Sequence, residues 1–290
     1  MSGSFQSENR KEGELSPSDI GYIDLDHVVL TVENLDKAVS EFADYGIVAA
    51  PSQLEGNSDT PVAGVRHLVF KAPANDIANM IVLSQPGPPT PVLVAASKDL
   101  EETRQVLGSL GLANGDVVKV PDRSWIDPSD KTRHPILASR LAMANTVPMA
   151  VNATHAAALA TYHLPGFQTH RHGVQRMVGV DIKACDVTGV AKWLGLVLHG
   201  KAAKGDGEGW SVFTRDCFIR VYPSDDETTG VTGILFEVSD LDSHLSALPP
   251  QTREQADSSG QLGITFPPTE QVSVTLTFIG TSTLADLLKQ

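Results

Sequence analysis

Apolar and polar positions first fall into a readable rhythm near Ile23. Asp26 to Val32 is a short, β-branched apolar run, which predicts a strand. Asn34-Leu35-Asp36 follows, and Leu35, Val39, Phe42 and Tyr45 then recur at helical spacing. Asn34 is placed to cap the helix amides, Asp36 suits the positive helix end, and Gly46 supplies a stop. The same phrase returns at Pro91–Leu112 with Asp99-Leu100 at the junction and Gly111 near the end. It returns again at Val178–Leu196 with Asp186-Val187 and Gly195, and at Gly233–Leu248 with Asp240-Leu241. The junctions thus stand at residues 35, 100, 187 and 241.

Room for two or three further strands follows each phrase. The candidates are Val65–Lys71 and Met80–Ser84; Val117–Val120, Pro135–Ala142 and Val147–Val151; Trp210–Thr214 and Phe218–Tyr222; and Gly263–Phe266 and Val272–Phe278. One helix per several strands argues an α+β protein of four βαβββ modules rather than a doubly wound parallel sheet. The expected organisation is a tail over residues 1–20, an N-terminal half over 21–155, a connector over 156–174 and a C-terminal half over 175–290. Each half contains two modules.

Composition narrows the function. Met1 to Asp19 has one aromatic and no apolar rhythm, so it is expected to be a disordered tail. It has no apolar stretch like that of a secretory signal, and no run in the chain approaches a membrane span, so a cytoplasmic protein is expected. The formal net charge of −13 makes nucleic acid and anionic membranes poor partners. The two cysteines, Cys185 and Cys217, cannot form a disulfide framework and are expected to be reduced, packed thiols. The sequon at Asn152 is expected to be idle.

Leu25-Asp26-His27-Val28-Val29-Leu30 followed by Asn34-Leu35-Asp36 resembles the opening of glyoxalase-like domains of the vicinal oxygen chelate superfamily. His170-Arg171-His172-Gly173-Val174 resembles the family's His-Pro-Asn-Gly-Ala segment, with Arg171 and His172 in place of the usual Pro and Asn. The resemblance covers most of residues 23–280 and is loose outside these two segments. It implies two curved, half-open mixed sheets with helices outside, a small-molecule pocket on the concave side, and often a divalent metal such as zinc, iron, manganese or nickel. Members include glyoxalases, extradiol dioxygenases, epimerases and drug-sequestering proteins, so the fold leaves the reaction open.

A catalytic metal wants about three ligands from His, Glu or Asp plus open positions. His27 occupies the family's first-strand ligand position. The aligned positions in the other units are Val92, Gly179 and Gly233, which offer no ligand. The last strands carry no carboxylate at their centres, and Phe218–Tyr222 offers Arg220 and Tyr222 instead. The expectation is therefore a degenerate site: either no cofactor, or a divalent ion held by His27 with His170. His170 and His172 form a His-x-His pair that would put both rings on one face of an extended segment. The alternative is a polar connector whose histidines face solvent.

Arg220 and Tyr222 share a strand face and would grip a carboxylate or enolate oxygen, or else lie on a solvated face. Arg66 and His67 fall on opposite faces of their strand, so one of them faces a pocket. The expected catalytic set is His27, Arg220 and Tyr222, and the expected substrate-binding set is Arg66, His67, His170 and His172. Two readings stand side by side. One is a glyoxalase-like lyase, isomerase or dioxygenase-like enzyme acting on a small oxygenated metabolite. The other is a metal-free protein of the same fold that binds or sequesters a small molecule. Exposed edges of curved sheets also allow a homodimer.

Overall fold

The computed structural model describes residues 23–50, 64–71, 79–97, 99–112, 116–126, 133–142, 147–153, 166–205, 208–215, 217–225, 228–258 and 262–288. The expectation for Met1 to Asp19 lies outside these residues. The protein is α+β, built on two mixed, open sheets.

The first sheet contains β1 (Ile23–Thr31), β2 (Val65–Phe70), β3 (Asn79–Ser84), β4 (Val92–Ser97), β5 (Val118–Ile126), β6 (Arg133–Ala142) and β7 (Met149–Ala153). Their spatial order is β2-β3-β1-β4-β7-β6-β5. The second contains β8 (Val174–Ala184), β9 (Lys201–Lys204), β10 (Trp210–Phe213), β11 (Phe218–Pro223), β12 (Gly230–Val238), β13 (Ile264–Phe266) and β14 (Thr275–Gly280). Their order is β13-β14-β12-β8-β11-β10-β9. The first strand of each unit lies parallel to that unit's last strand, as in β1/β3, β4/β7, β8/β11 and β12/β14. The two first strands of each sheet pair antiparallel, β1 with β4 and β8 with β12.

Four helices follow the first strands: α1 (Leu35–Asp44), α2 (Leu100–Ser109), α3 (Val187–Val197) and α4 (Leu241–Ala247). Each begins at the junction residue expected from the apolar pattern, because each is preceded by a working cap. Asn34 accepts from Lys37 N, Asp99 from Glu101 N and Glu102 N, Asp186 from Gly189 N, and Asp240 from Ser243 N. Such a cap contributes roughly 1 kcal/mol by satisfying amides that the helix leaves unpaired. Two short helices, α5 (Pro250–Arg253) and α6 (Thr281–Leu287), complete the described chain.

Several expectations need correction. Three strands follow α2 and α3, but among the described residues only two follow α1 and two follow α4. Strand β9 reads Lys-Ala-Ala-Lys, which has no apolar alternation to announce it, and lysines at both ends suit an edge strand. Gly195 does not stop α3, which runs on to Val197. Its missing side chain instead lets the following turn approach, since a Cβ there would lie 3.2 Å from Gly200 O and 3.4 Å from Ala202 Cβ. Cys185 is exposed rather than packed, while Cys217 is buried, and both are free thiols.

The helix-bearing faces of both sheets share one core. Leu25, Val28 and Leu30 of β1 and Leu35, Ala38 and Phe42 around α1 belong to it, as do Ile182, Ile234, Phe236 and Phe278 of the second sheet. At the seam between the sheets, Tyr45 lies 5.0 Å from Phe266 and stacks on Phe278 at 6.1 Å, and Phe70 lies 5.5 Å from Phe236. Burial pushes the Tyr45 hydroxyl up to about 12, with Glu41 and Asp44 adding to the shift. The opposite face of each sheet, here the inner face, is thus turned away from the shared core. Among the described residues no helix is long and apolar enough to cross a membrane.

Candidate functional site

On the inner face of the first sheet, one row of side chains crosses five strands. It runs Val69, Met80, His27, Val94 and Ala150, as the strand registers set it. All five residues are buried, and His27 is the polar member. An imidazole in an apolar wall costs free energy unless it finds a partner. The partner is Asp26, whose Oδ2 accepts from His27 Nδ1 at 2.7 Å. Neighbours in a regular strand point to opposite faces. Here the register with β4 shifts between Leu25 and His27, and that bulge brings the two adjacent side chains together. With its proton on Nδ1, the ring keeps a lone pair on Nε2. That atom has no partner in the described protein and is not sealed from solvent.

His67 is buried on this same inner face, since Leu68 and Phe70 point into the shared core. Strand β3 lies between its strand and β1, so His67 and His27 share a face but not neighbouring strands. Arg66 goes the other way, and its Nη1 donates to Val65 O at 2.9 Å.

His170 and His172 do not join His27. His170 stacks on Phe70 at 4.5 Å, against the core-facing side of β2. Its Nδ1 accepts from Val48 N at 3.1 Å and its Nε2 donates to Val69 O at 3.0 Å, so neither ring nitrogen is left for a ligand. Burial pulls its pKa down to about 4, against the opposing pull of the Val69 carbonyl. The first sheet therefore stands between His170 and His27. The His-x-His geometry also fails, because His172 has φ of 54° and the segment is not extended there. Its carbonyl accepts from Nδ1 of the buried His244. Gly46 accommodates this connector: a Cβ there would lie 2.7 Å from Arg171 O, and its φ is 86°.

Arg220 and Tyr222 lie on the inner face of the second sheet, since Ile219 and Val221 between and beside them enter the shared core. Arg220 Nε and Nη2 donate to the two carboxylate oxygens of Asp181 on β8, at 2.6 and 2.7 Å. Burial alone would lower the Arg220 pKa, but the bonds and charge of Asp181 outweigh it and raise it. The guanidinium carbon lies 5.4 Å from the Tyr222 ring centroid. With the core between the two inner faces, Arg220 and Tyr222 do not converge on His27, and the expected catalytic set divides into two places. Asp26 and Asp181 are the residues that sequence reasoning missed. Asp181 lies two residues past Gly179 in a run that otherwise reads as strand, and it was there to be noticed opposite Arg220.

The residues present do not fit a resident metal in the family's manner. At Gly179 a Cβ would come within 2.1 Å of Phe218 O, so no ligand-bearing side chain has room at that first-strand position. At Gly233 a Cβ would meet Thr275 Oγ1 at 2.5 Å and Asp181 Oδ2 at 2.9 Å. The one carboxylate nearby is committed to Arg220. Among the described residues, no group of three or more His, Cys, Asp or Glu is placed to hold a metal ion.

Solved structures show the class of fold. A hypothetical protein from Staphylococcus aureus aligns over 89% of this chain and 99% of its own, with a TM-score of 0.58 and 8% identity. The Mn(II)-bound glyoxalase from Novosphingobium aromaticivorans aligns over 90% of this chain and 82% of its own, with a TM-score of 0.56 and 12% identity. A catechol 2,3-dioxygenase aligns over 89% and 88%, with a TM-score of 0.54 and 14% identity. The chain has the vicinal oxygen chelate fold. No family model matches the sequence, and no curated protein matches it.

Proposed function

We propose that the protein binds and acts on a small oxygenated metabolite against the inner face of its first sheet. His27 serves as proton acceptor, Asp26 positions its ring, and no resident metal is needed. The observation that carries this reading is the His27–Asp26 pair at 2.7 Å, set by a bulge into an otherwise apolar row. A carboxylate that accepts the Nδ1–H hydrogen bond leaves the Nε2 lone pair free as a base, which is the arrangement general acid–base work needs. The apolar flanks Met80, Val69 and Val94 favour a substrate with a mostly apolar body, and His67 on the same face supplies a second polar contact. Lyase or isomerase chemistry at an enolisable centre suits a lone imidazole better than oxygen chemistry does. The same reading treats the four strand–helix units as diverged copies of one βαβββ plan, arranged as two halves joined near residues 156–174. It also includes a cytoplasmic, homodimeric protein.

A second reading, a metal-free binding or sequestering protein, is favoured by how closely the row is shielded, with Val69, Met80 and Val94 each at 3% exposure or less. The test is a panel of small hydroxyketones, keto acids and catechols, screened for thermal stabilisation and turnover in wild type, His27→Ala and Asp26→Asn. An enzyme predicts that His27→Ala abolishes turnover while ligand stabilisation persists, and that Asp26→Asn lowers kcat more than it raises KM. The binding protein predicts stabilisation without turnover. Loss of about 1 kcal/mol of stability in either variant with no change in any ligand response would make His27 a core histidine. Stoichiometric metal by elemental analysis, lost in His27→Ala, would overturn the metal-free reading.

A further inference from the structure

The inner face of the second sheet carries charge that the function above does not use. Arg220 is gripped along one edge only. Its Nε and Nη2 bond Asp181, whereas Nη1 has no partner in the described protein and is not sealed from solvent. A guanidinium has five N–H donors, and the ion pair uses two of them. Asp181 therefore orients the fork and leaves its far edge available.

One step along the strands on the same face, Tyr222 sits in register with Lys183. Both are exposed, and Ile182 and Ala184 on either side of Lys183 point into the core. Glycines leave the space around this pair clear. Gly209 lies under the Tyr222 ring, where a Cβ would be 3.3 Å from Cδ1. Gly230 is opposite Lys183, where a Cβ would meet nothing within 4 Å. Among the described residues of β8 and β11 at this end of the face, Arg220 and Lys183 are the cations, and the anion Asp181 is already bonded to Arg220.

We propose that this ledge binds a small carboxylate, with Arg220 Nη1 and the Tyr222 hydroxyl donating to its oxygens and Lys183 supplying a second cation beside them. The guanidinium stands on the sheet face where a divalent ion has no ligands to hold it. Burial raises the Tyr222 pKa, Arg220 opposes that shift and Asp181 adds to it, so the hydroxyl keeps its proton at neutral pH. Arginine held flat by a carboxylate loses little freedom when it meets a second planar oxygen pair, which favours a carboxylate over a neutral amide of the same shape. The site belongs to the second sheet alone and does not rest on the His27 pocket.

The test follows the Arg220 Nε–H resonance of the full chain during titration with benzoate or acetate, with benzamide as the neutral isostere. Benzoate should shift the resonance saturably, with a Kd on the order of 1–10 mM for so small a ligand. Lys183→Gln and Tyr222→Phe, both at exposed side chains, should each weaken binding about threefold to tenfold while leaving the rest of the spectrum unchanged. An equal shift with benzamide, no shift with either carboxylate, or wild-type affinity in the Lys183→Gln, Tyr222→Phe double variant would overturn the proposal. The readout is local to β11, so it stands or falls separately from any result at His27.

Discussion

Across the inner face of the first sheet the row reads Val69, Met80, His27, Val94 and Ala150; across the second it reads Ser211, Arg220, Asp181, Gly233 and Thr275. The strands beneath are connected alike, and the side chains on them solve different problems. In the first row one polar ring, His27, sits among apolar side chains and takes its partner from the residue before it. In the second a buried guanidinium and carboxylate satisfy each other across neighbouring strands. The difference shows that one strand topology can carry two different sets of side-chain chemistry. The imidazole keeps one unbonded nitrogen for proton transfer, whereas the guanidinium is held along one edge and keeps Nη1 for hydrogen bonding.

The sharpest way to break this contrast is to remove one partner from each pair. Asp181→Ala leaves a largely buried guanidinium without its counter-charge and should cost about 3–5 kcal/mol in urea unfolding. Asp26→Asn should cost far less, because the amide still offers His27 an oxygen. Replacing Asp181 and Arg220 together by leucine and methionine should recover most of the loss. Equal losses at Asp26 and Asp181 would erase the distinction between the two faces.

Acid should act on the seam between the sheets. His170 is neutral when folded, with a pKa near 4 against an ordinary 6.5, because burial disfavours its charged form. Burial likewise lowers His244, against the bond to the His172 carbonyl. A folded pKa below the unfolded one means that the unfolded chain takes up the proton first. Stability from His170 is therefore full above about pH 6.5 and falls by roughly 1.4 kcal/mol per pH unit down to about pH 4. Unfolding midpoints measured across that window should show the slope, and His170→Gln should flatten it. A slope unchanged in His170→Gln would place the acid sensitivity elsewhere.

The third and smallest effect concerns room. Gly179→Ala pushes a methyl into the Phe218 carbonyl and should cost about 1–3 kcal/mol, while Val92 on the first sheet tolerates exchange with alanine at lower cost. Gly179→His, which would put a ligand-type side chain at that first-strand position, should distort β8 and β11 rather than create a metal site. Metal-dependent stabilisation of that variant would show that the second sheet yields more easily than its packing implies.

Much of the fold was legible along the chain, because caps and apolar period are local. Asn34, Asp99, Asp186 and Asp240 bond amides two or three residues away, so each helix start could be read without knowing its neighbours. The edge strand Lys201–Lys204 was hidden for the converse reason: an edge needs no apolar face to hold it. The site was legible only in part. His27, Arg220 and Tyr222 stood out by residue type, and the inner-face orientation of His67 over Arg66 was one of the two readings the alternation allowed. Their grouping was wrong, since both His170 ring nitrogens bond backbone at the seam, His172 sits in a left-handed turn, and Arg220 lies on the other sheet.

What the sequence by itself determined, then, is where strands end and helices begin, and which side chains can carry a proton or a charge. Tertiary structure decided which of those side chains meet. The bulge that joins Asp26 to His27 is a register shift against β4, some seventy residues away in the chain, and Asp181 finds Arg220 only because β8 and β11 lie parallel and in register. Pairing across a sheet depends on strand order and offset, and a one-residue slip would send each of these groups to the opposite face. No local pattern encodes that offset.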